Sequence, residues 1–140
     1  MKKKVLVLGT DNAIFTPIMS ELIKHLTFKK VDVAAAGLRH GKIHPTTAKI
    51  LLEMGIDISD FVSKTINEFV HTQFDIVITV TEEARNNLNV LMSSRTKIHK
   101  EFDDPSLTSS NEIQLQKAFR DMRDEMNEWL NEFLPRHRLV

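Results

Sequence analysis

Val5-Leu6-Val7-Leu8-Gly9-Thr10-Asp11-Asn12-Ala13-Ile14-Phe15-Thr16-Pro17 reads as a buried strand, a tight loop and the start of a helix. Four consecutive apolar residues ending at glycine suit a strand covered on both faces, as in a parallel sheet. Thr16 followed by Pro17 has the form of an N-cap with proline at the first helical position. Ile18, Met19, Leu22, Ile23 and Leu26 then recur at helical spacing. A loop so placed turns backbone N–H groups toward a common centre, and the helix N-terminus adds partial positive charge, which is the physics of an anion cradle. The segment carries neither GxGxxG nor a Walker P-loop, so a nucleotide site does not follow from it. On its own the turn is a weak signal, because most strand-to-helix turns bind nothing.

Outward from that unit the alternation continues. Val31 to Gly37 reads as a second strand and Leu38 to His44 as a loop broken by Gly41. Pro45 opens a second helix carrying Ala48, Leu51, Leu52 and Met54, with Gly55 as its stop. A short helical turn fits Ile66 to Phe69. Phe74 to Val80 is rich in β-branched residues and is the clearest strand. Thr81 is placed to cap a helix whose first turn holds Glu82 and Glu83. Lys97 to Phe102 reads as a fourth, shorter strand, and Asp103 to Asn111 as a polar loop. Leu115, Ala118, Phe119, Met122, Met126, Trp129, Leu130 and Phe133 mark a long last helix that Pro135 is expected to end. Strands alternating with helices predict an α/β fold with a parallel sheet covered on both faces. Ligands in such folds bind beyond the carboxyl ends of the strands, where the loops starting at Gly9, Gly37, Thr81 and Asp103 would meet.

The chain of 140 residues suits one domain, residues 1–140, and its 41% hydrophobic content supports one sizeable core. Nineteen basic residues balance nineteen acidic ones, so no global field steers nucleic acid or anionic membrane, and neither is an expected partner. No apolar stretch approaches bilayer length and no signal peptide is recognisable, which makes the cytoplasm the expected location. There is no cysteine. Disulfides, thiolate metal ligands and every cysteine nucleophile are thereby excluded. His40 and His44 are four apart, but Gly41 and Pro45 argue against a shared helical face, and no metal site is expected. Arg120, Asp121, Arg123, Asp124 and Glu125 read as a solvated mixed-charge face.

Residues 5 to 17 resemble the phosphate-binding loop of low-molecular-weight protein tyrosine phosphatases and the related arsenate reductases. The likeness runs in order along nearly the whole chain. Ala36-Gly37, Gly41 with His44-Pro45, Gly55-Ile56-Asp57-Ile58-Ser59 and Ser63-Lys64 are similar to that family's elements. So are Phe74 to Val80, Phe102-Asp103-Asp104-Pro105, and Phe119-Arg120-Asp121-Met122-Arg123-Asp124-Glu125. The resemblance is nearest the arsenate reductase branch. It implies a three-layer α/β/α fold with a four-stranded parallel sheet of order 2-1-3-4.

It also implies a register in which the catalytic set is degraded. Gly9 falls where the family has its nucleophilic Cys, and Phe15 where it has the oxyanion-binding Arg. Asn12, Thr16 and Pro17 match the family's loop residues. Asp104 matches the general acid of the Asp-Pro loop, and Thr81 stands where thioredoxin-coupled members carry a resolving cysteine. Family chemistry needs a low-pKa nucleophile, a donor clamp on the transition-state oxygens and a proton for the leaving group. Glycine cannot attack, and phenylalanine neither donates nor carries charge. The resemblance therefore implies a degenerate homologue, a non-catalytic binding or regulatory module without cofactor. Its anion loop would comprise Thr10, Asp11, Asn12, Ala13, Ile14 and Thr16, holding an anion or a phosphorylated protein weakly. The alternative is an active phosphatase or arsenate reductase-type enzyme whose cysteine-independent chemistry uses Asp11, Asp104 or bound water. Asp11 as a phosphoryl acceptor would want a second Asp two residues on, where Ala13 stands. It reads better as a turn residue, and its charge would oppose an anion.

Overall fold

A computed structural model of the protein describes residues 2–91, 94–108 and 110–140. The strands are β1 (Lys4–Gly9), β2 (Asp32–Gly37), β3 (Phe74–Thr79) and β4 (Ser94–His99). The helices are α1 (Phe15–Leu26), α2 (Pro45–Leu52), α3 (Glu82–Leu91) and α4 (Glu112–Arg136), with short 3-10 turns at Ile66–Phe69 and Pro105–Leu107. All strand pairs are parallel and the order is β2-β1-β3-β4, the order the resemblance implies.

The continuous apolar runs fill both faces of this sheet. Val5, Val7, Ile76 and Ile78 point into the larger core with Ile18, Met19, Leu22 and Ile23 of α1, Ile50 and Leu51 of α2, and Phe119, Met126 and Leu130 of α4. Leu6, Leu8 and Val77 point the other way, against Ala84 and Leu88 of α3 and Ile66 of the first 3-10 turn. That two-sided burial is why β1 and β3 show no alternation.

Four boundaries differ from the sequence reading. Helix α1 begins at Phe15, with Ile14 in the cap position and no side-chain cap, so Thr16 is not the N-cap. Its hydroxyl is committed instead to Asn12 Oδ1. Strand β4 covers Ser94–His99 rather than 97–102. It is an edge strand in which half-buried Ser94, Thr96 and Ile98 alternate with exposed Arg95 and Lys97, and buried Phe102 lies beyond it. Helix α2 stops at Leu52, short of Met54, and Gly55 at φ 79° closes it: Gly55 N–H donates to Leu52 O and Ile56 N–H to Leu51 O, a Schellman arrangement. Pro135 does not end α4, which runs to Arg136. The carbonyl of Asn131 that loses a donor belongs to an exposed residue, so water can take the place of the missing N–H.

The charged face of α4 is more than a set of solvated neighbours. Arg120 grips Glu53, just after α2, through Nε at 2.9 Å and Nη2 at 2.7 Å, and Arg123 Nη1 reaches the same carboxylate at 3.0 Å. Arg123 also donates to Ile50 O at 2.8 Å. Hydrogen bonding from Arg120 foremost, with help from Arg123, lowers the Glu53 pKa from 4.5 to about 2, against an opposing effect of burial second only to that of Arg120. The folded pKa lies below the unfolded one, so the clamp stabilises the protein fully above pH 4.5 and loses its contribution as pH falls toward 2. Glu53→Gln is expected to cost about 1 kcal/mol at neutral pH, a networked but solvent-screened pair. Urea titrations of both proteins should show that gap closing between pH 4.5 and 2.

Candidate functional site

Gly9 ends β1, the inner strand flanked by β2 and β3, so the loop that follows opens at the carboxyl edge of the sheet. Its carbonyls are drawn away to one side. Gly9 O accepts from Leu38 N–H, Thr10 O from Arg39 N–H, and Ala13 O from both His44 N–H and the Thr47 hydroxyl. Peptide planes held this way turn their N–H groups toward the opposite side, which is the condition for a cradle. Two glycines let the loops approach. A Cβ on Gly37 would lie 2.7 Å from Arg39 O, and one on Gly41 would collide with Asp11 O. Because the second obstacle is backbone, Gly41→Ala should displace the loop and destabilise the fold by about 2–3 kcal/mol, measurable by thermal and urea unfolding.

Asn12 holds the loop's shape. It is 2% exposed, sits at φ 60°, donates from Nδ2 to Lys64 O at 2.8 Å, and accepts the Thr16 hydroxyl at Oδ1. Asparagine tolerates this left-handed backbone better than most residues. Asp11 turns its Oδ1 onto Ala13 N–H at 3.2 Å, so a carboxylate already occupies one donor of the cradle. Thr10 donates to the Thr81 hydroxyl at 3.1 Å, and Thr81 in turn accepts Ala84 N–H at 3.2 Å, capping α3 as its sequence position predicts. Asp104 caps the second 3-10 turn, its Oδ1 accepting Ser106 N–H at 2.9 Å and the Ser106 hydroxyl at 2.6 Å.

These residues enclose a pocket of about 290 Å³ lined by Gly9, Thr10, Asp11, Asn12, Ala13, Phe15, Thr16, Thr81 and Asp104. The fold thus brings the predicted loop and the distant Asp-Pro turn together. Ile14 is the exception among the predicted loop residues, because its side chain is buried in the larger core. Phe15 is half-buried, one side against that core and the other on the pocket. The lining holds two carboxylates and no cationic side chain. Arg39, on the loop after β2, is paired with Glu83 at 3.2 Å. The floor is closed in a particular way: a Cβ built on Gly9 would lie 2.8 Å from the Thr16 methyl and 3.2 Å from a Val80 methyl.

Several contributors were marked in the sequence only by the family resemblance, without a role. Lys64 supplies only its carbonyl, and Gly41 only its lack of a side chain, so neither carries a chemical signal. His44 is structural: Nδ1 accepts Thr46 N–H at the start of α2, and the ring packs on Phe119 with centroids 4.8 Å apart. Thr79 and His99, paired across β3 and β4, bond at 2.7 Å, and His99 Nε2 meets Glu101 at 3.0 Å, outside the pocket lining. No group of three metal-ligating side chains occurs among the described residues. Nor, among them, is any helix long and apolar enough to cross a membrane.

A four-stranded parallel sheet of order 2-1-3-4, with its first strand–loop–helix unit at the carboxyl edge, defines the class: an α/β protein with a candidate ligand pocket at the strand ends. The model of the family described as low molecular weight phosphotyrosine protein phosphatase matches residues 4–139, and the chain belongs to that family. It is 31% identical over 135 residues to arsenate reductase 1 of Staphylococcus epidermidis, covering 96% of this chain and 98% of that protein. It is 28% identical over 132 residues to the arsenate reductase of Halalkalibacterium halodurans, covering 94% and 95%. Among solved structures, an arsenate reductase in the intermediate state superposes with a TM-score of 0.78 at 25% identity, covering 96% of this chain and 98% of that one. The chain has no cysteine.

Proposed function

We propose that this chain is a non-catalytic member of its family, a binding or regulatory module built on the phosphatase scaffold. The observation that carries the proposal is the floor of the pocket. In the family register Gly9 takes the nucleophile's place, and the Thr16 methyl fills the space that a Cβ there would need. In the present packing that space is taken, in a protein that has no cysteine to offer from elsewhere. Phe15, in the register of the family arginine, adds apolar surface where a guanidinium would clamp oxygens.

The ligand class we assign to the pocket is a phosphate-type anion, free or on a protein, held weakly. The loop geometry favours it, while Asp11 on Ala13 N–H and the absence of a lining cation oppose it. Calorimetric titration with inorganic phosphate should give a dissociation constant of about 1 mM or weaker. Asp11→Asn should tighten it by a few-fold through removal of a like charge. Micromolar binding to the unaltered protein, or no change on Asp11→Asn, would count against the assignment.

One observation favours a second reading, an enzyme of altered, cysteine-independent chemistry: Asp104 still lines the pocket. Its Oδ1 is committed to Ser106, however, and Asp11 Oδ1 to Ala13 N–H, so neither carboxylate is presented as a free nucleophile through that oxygen.

A further inference from the structure

The opposite edge of the sheet carries a second, larger concavity of about 650 Å³, where β1, β3 and β4 begin. Its charged lining is Lys2, Lys4, His71, Asp75 and Arg95. Three permanent cations thus face one carboxylate, in a chain whose total charge is zero. The register sets their arrangement. Val5 pairs with Ile76, so Lys4 falls beside Asp75; Phe74 pairs with Ser94 and Ile76 with Thr96, so Asp75 falls beside Arg95. Register partners in a parallel sheet project to the same face, which puts Lys4, Asp75 and Arg95 in one row.

Asp75 makes no contact ion pair with its neighbours' side chains. Its Oδ2 accepts the backbone N–H of Lys4 at 2.8 Å, and no ion pair joins it to Arg95 or to the Lys4 ammonium among the described residues. Lys2 is shared with other partners, donating to Lys29 O at 3.1 Å and lying 3.9 Å from Asp32, so Lys4 and Arg95 are the principal cations of the site. Among the described residues no protein acceptor engages the Arg95 guanidinium or the Lys4 ammonium. Lys4 and Arg95 stand two strand spacings apart, about 10 Å between backbones. Side chains of this length can close on one phosphate, but extended along the row they meet the two ends of a condensed phosphate, with Arg95 gripping one end bidentately and three cations matching its higher charge.

We propose that this concavity is an anion site for a condensed phosphate, a di- or triphosphate group either free or carried by a nucleotide, distinct from the pocket at Gly9. The site needs nothing from the loop at residues 9–16, so it stands or falls independently of the reading given to that loop.

The test uses tripolyphosphate as the probe, with backbone amide shifts followed by NMR at low ionic strength. Shifts are expected at residues 2–4, 71–75 and 94–95, and not at 9–16. Lys4→Ala/Arg95→Ala should weaken binding by about tenfold or more, whereas Lys117→Ala/Arg136→Ala, which removes the same charge elsewhere, should change it less than about twofold. ADP should shift the same amides as tripolyphosphate. Shifts confined to 9–16, equal losses in the two double variants, or no saturation at millimolar tripolyphosphate would each overturn the proposal. So would binding to vesicles of anionic lipid with none to the free anion, since the site would then be a surface contact.

Discussion

Gly9→Cys combined with Phe15→Arg is expected to remain without aryl phosphatase turnover, and to gain it only when Thr16→Ser is added. The family register makes the first two changes the obvious repair, restoring nucleophile and clamp. The obstacle we expect them to meet lies in the present packing. A Cβ at position 9 would stand 2.8 Å from the Thr16 methyl, well inside van der Waals contact. Threonine is stiff at χ1, and this hydroxyl is held by Asn12 Oδ1, so turning the methyl aside breaks a buried hydrogen bond. Serine keeps the hydroxyl and removes the obstacle. Gly9→Cys alone should therefore cost about 1–3 kcal/mol from overpacking. Adding Thr16→Ser should recover about 1–2 kcal/mol of it, a coupling that a double-mutant cycle in urea reads directly. Turnover in the triple variant and its absence in Gly9→Cys/Phe15→Arg would show that the scaffold, Asp104 included, still supports the chemistry once its floor is reopened. Equal stability of Gly9→Cys and the unaltered protein would remove the basis for the prediction.

Asn12→Ala carries the second large effect, this time on stability. The change strips Lys64 O and the Thr16 hydroxyl of their partners in a buried setting, at about 1–3 kcal/mol for each group left unsatisfied. It also puts a side chain with no local hydrogen bonding at φ 60°, a further 1–2 kcal/mol or so. The sum, about 3–8 kcal/mol, is a large part of the roughly 5–15 kcal/mol that holds a domain of this kind together. Asn12→Gly separates the two causes. Glycine accepts the backbone angle, so it should be about 1 kcal/mol less damaging than alanine while losing the same hydrogen bonds. Denaturant midpoints of the two variants check this; identical midpoints would mean that the backbone angle contributes nothing.

Much of the fold was legible because its cause is local. Val5 to Leu8 and Phe74 to Val80 are apolar without alternation, and only strands covered on both faces need that. The stripe from Leu115 to Phe133 could only be a helix with one buried side. The misread boundaries have tertiary causes. Thr16 looks like a cap in sequence, but its hydroxyl belongs to Asn12, and Asn12 is positioned by Lys64, 52 residues away. Phe102 drew the fourth strand toward itself because it is buried, yet it is buried by packing on the core after the strand has ended. Pro135 continues a helix because the residue whose carbonyl it leaves bare is exposed. Arg120 and Arg123 looked like members of a solvated face because Glu53 lies about 70 positions earlier, where no spacing rule can find it.

The site divides the same way. Gly9, Phe15 and Asp104 were marked by the family resemblance, which sets them at the nucleophile, arginine and general-acid positions. That Ile14 turns into the core, that Asp11 folds back onto Ala13 N–H, and that the Thr16 methyl occupies the space above Gly9 depend on side-chain direction, which the residue order does not state.

The most direct test is the rate of p-nitrophenyl phosphate hydrolysis by the unaltered protein, measured beside Asp104→Asn at equal concentration. The account predicts that both traces match the buffer blank. A rate above the blank in the unaltered protein that disappears in Asp104→Asn would contradict it, and would place working chemistry in the pocket beneath Phe15.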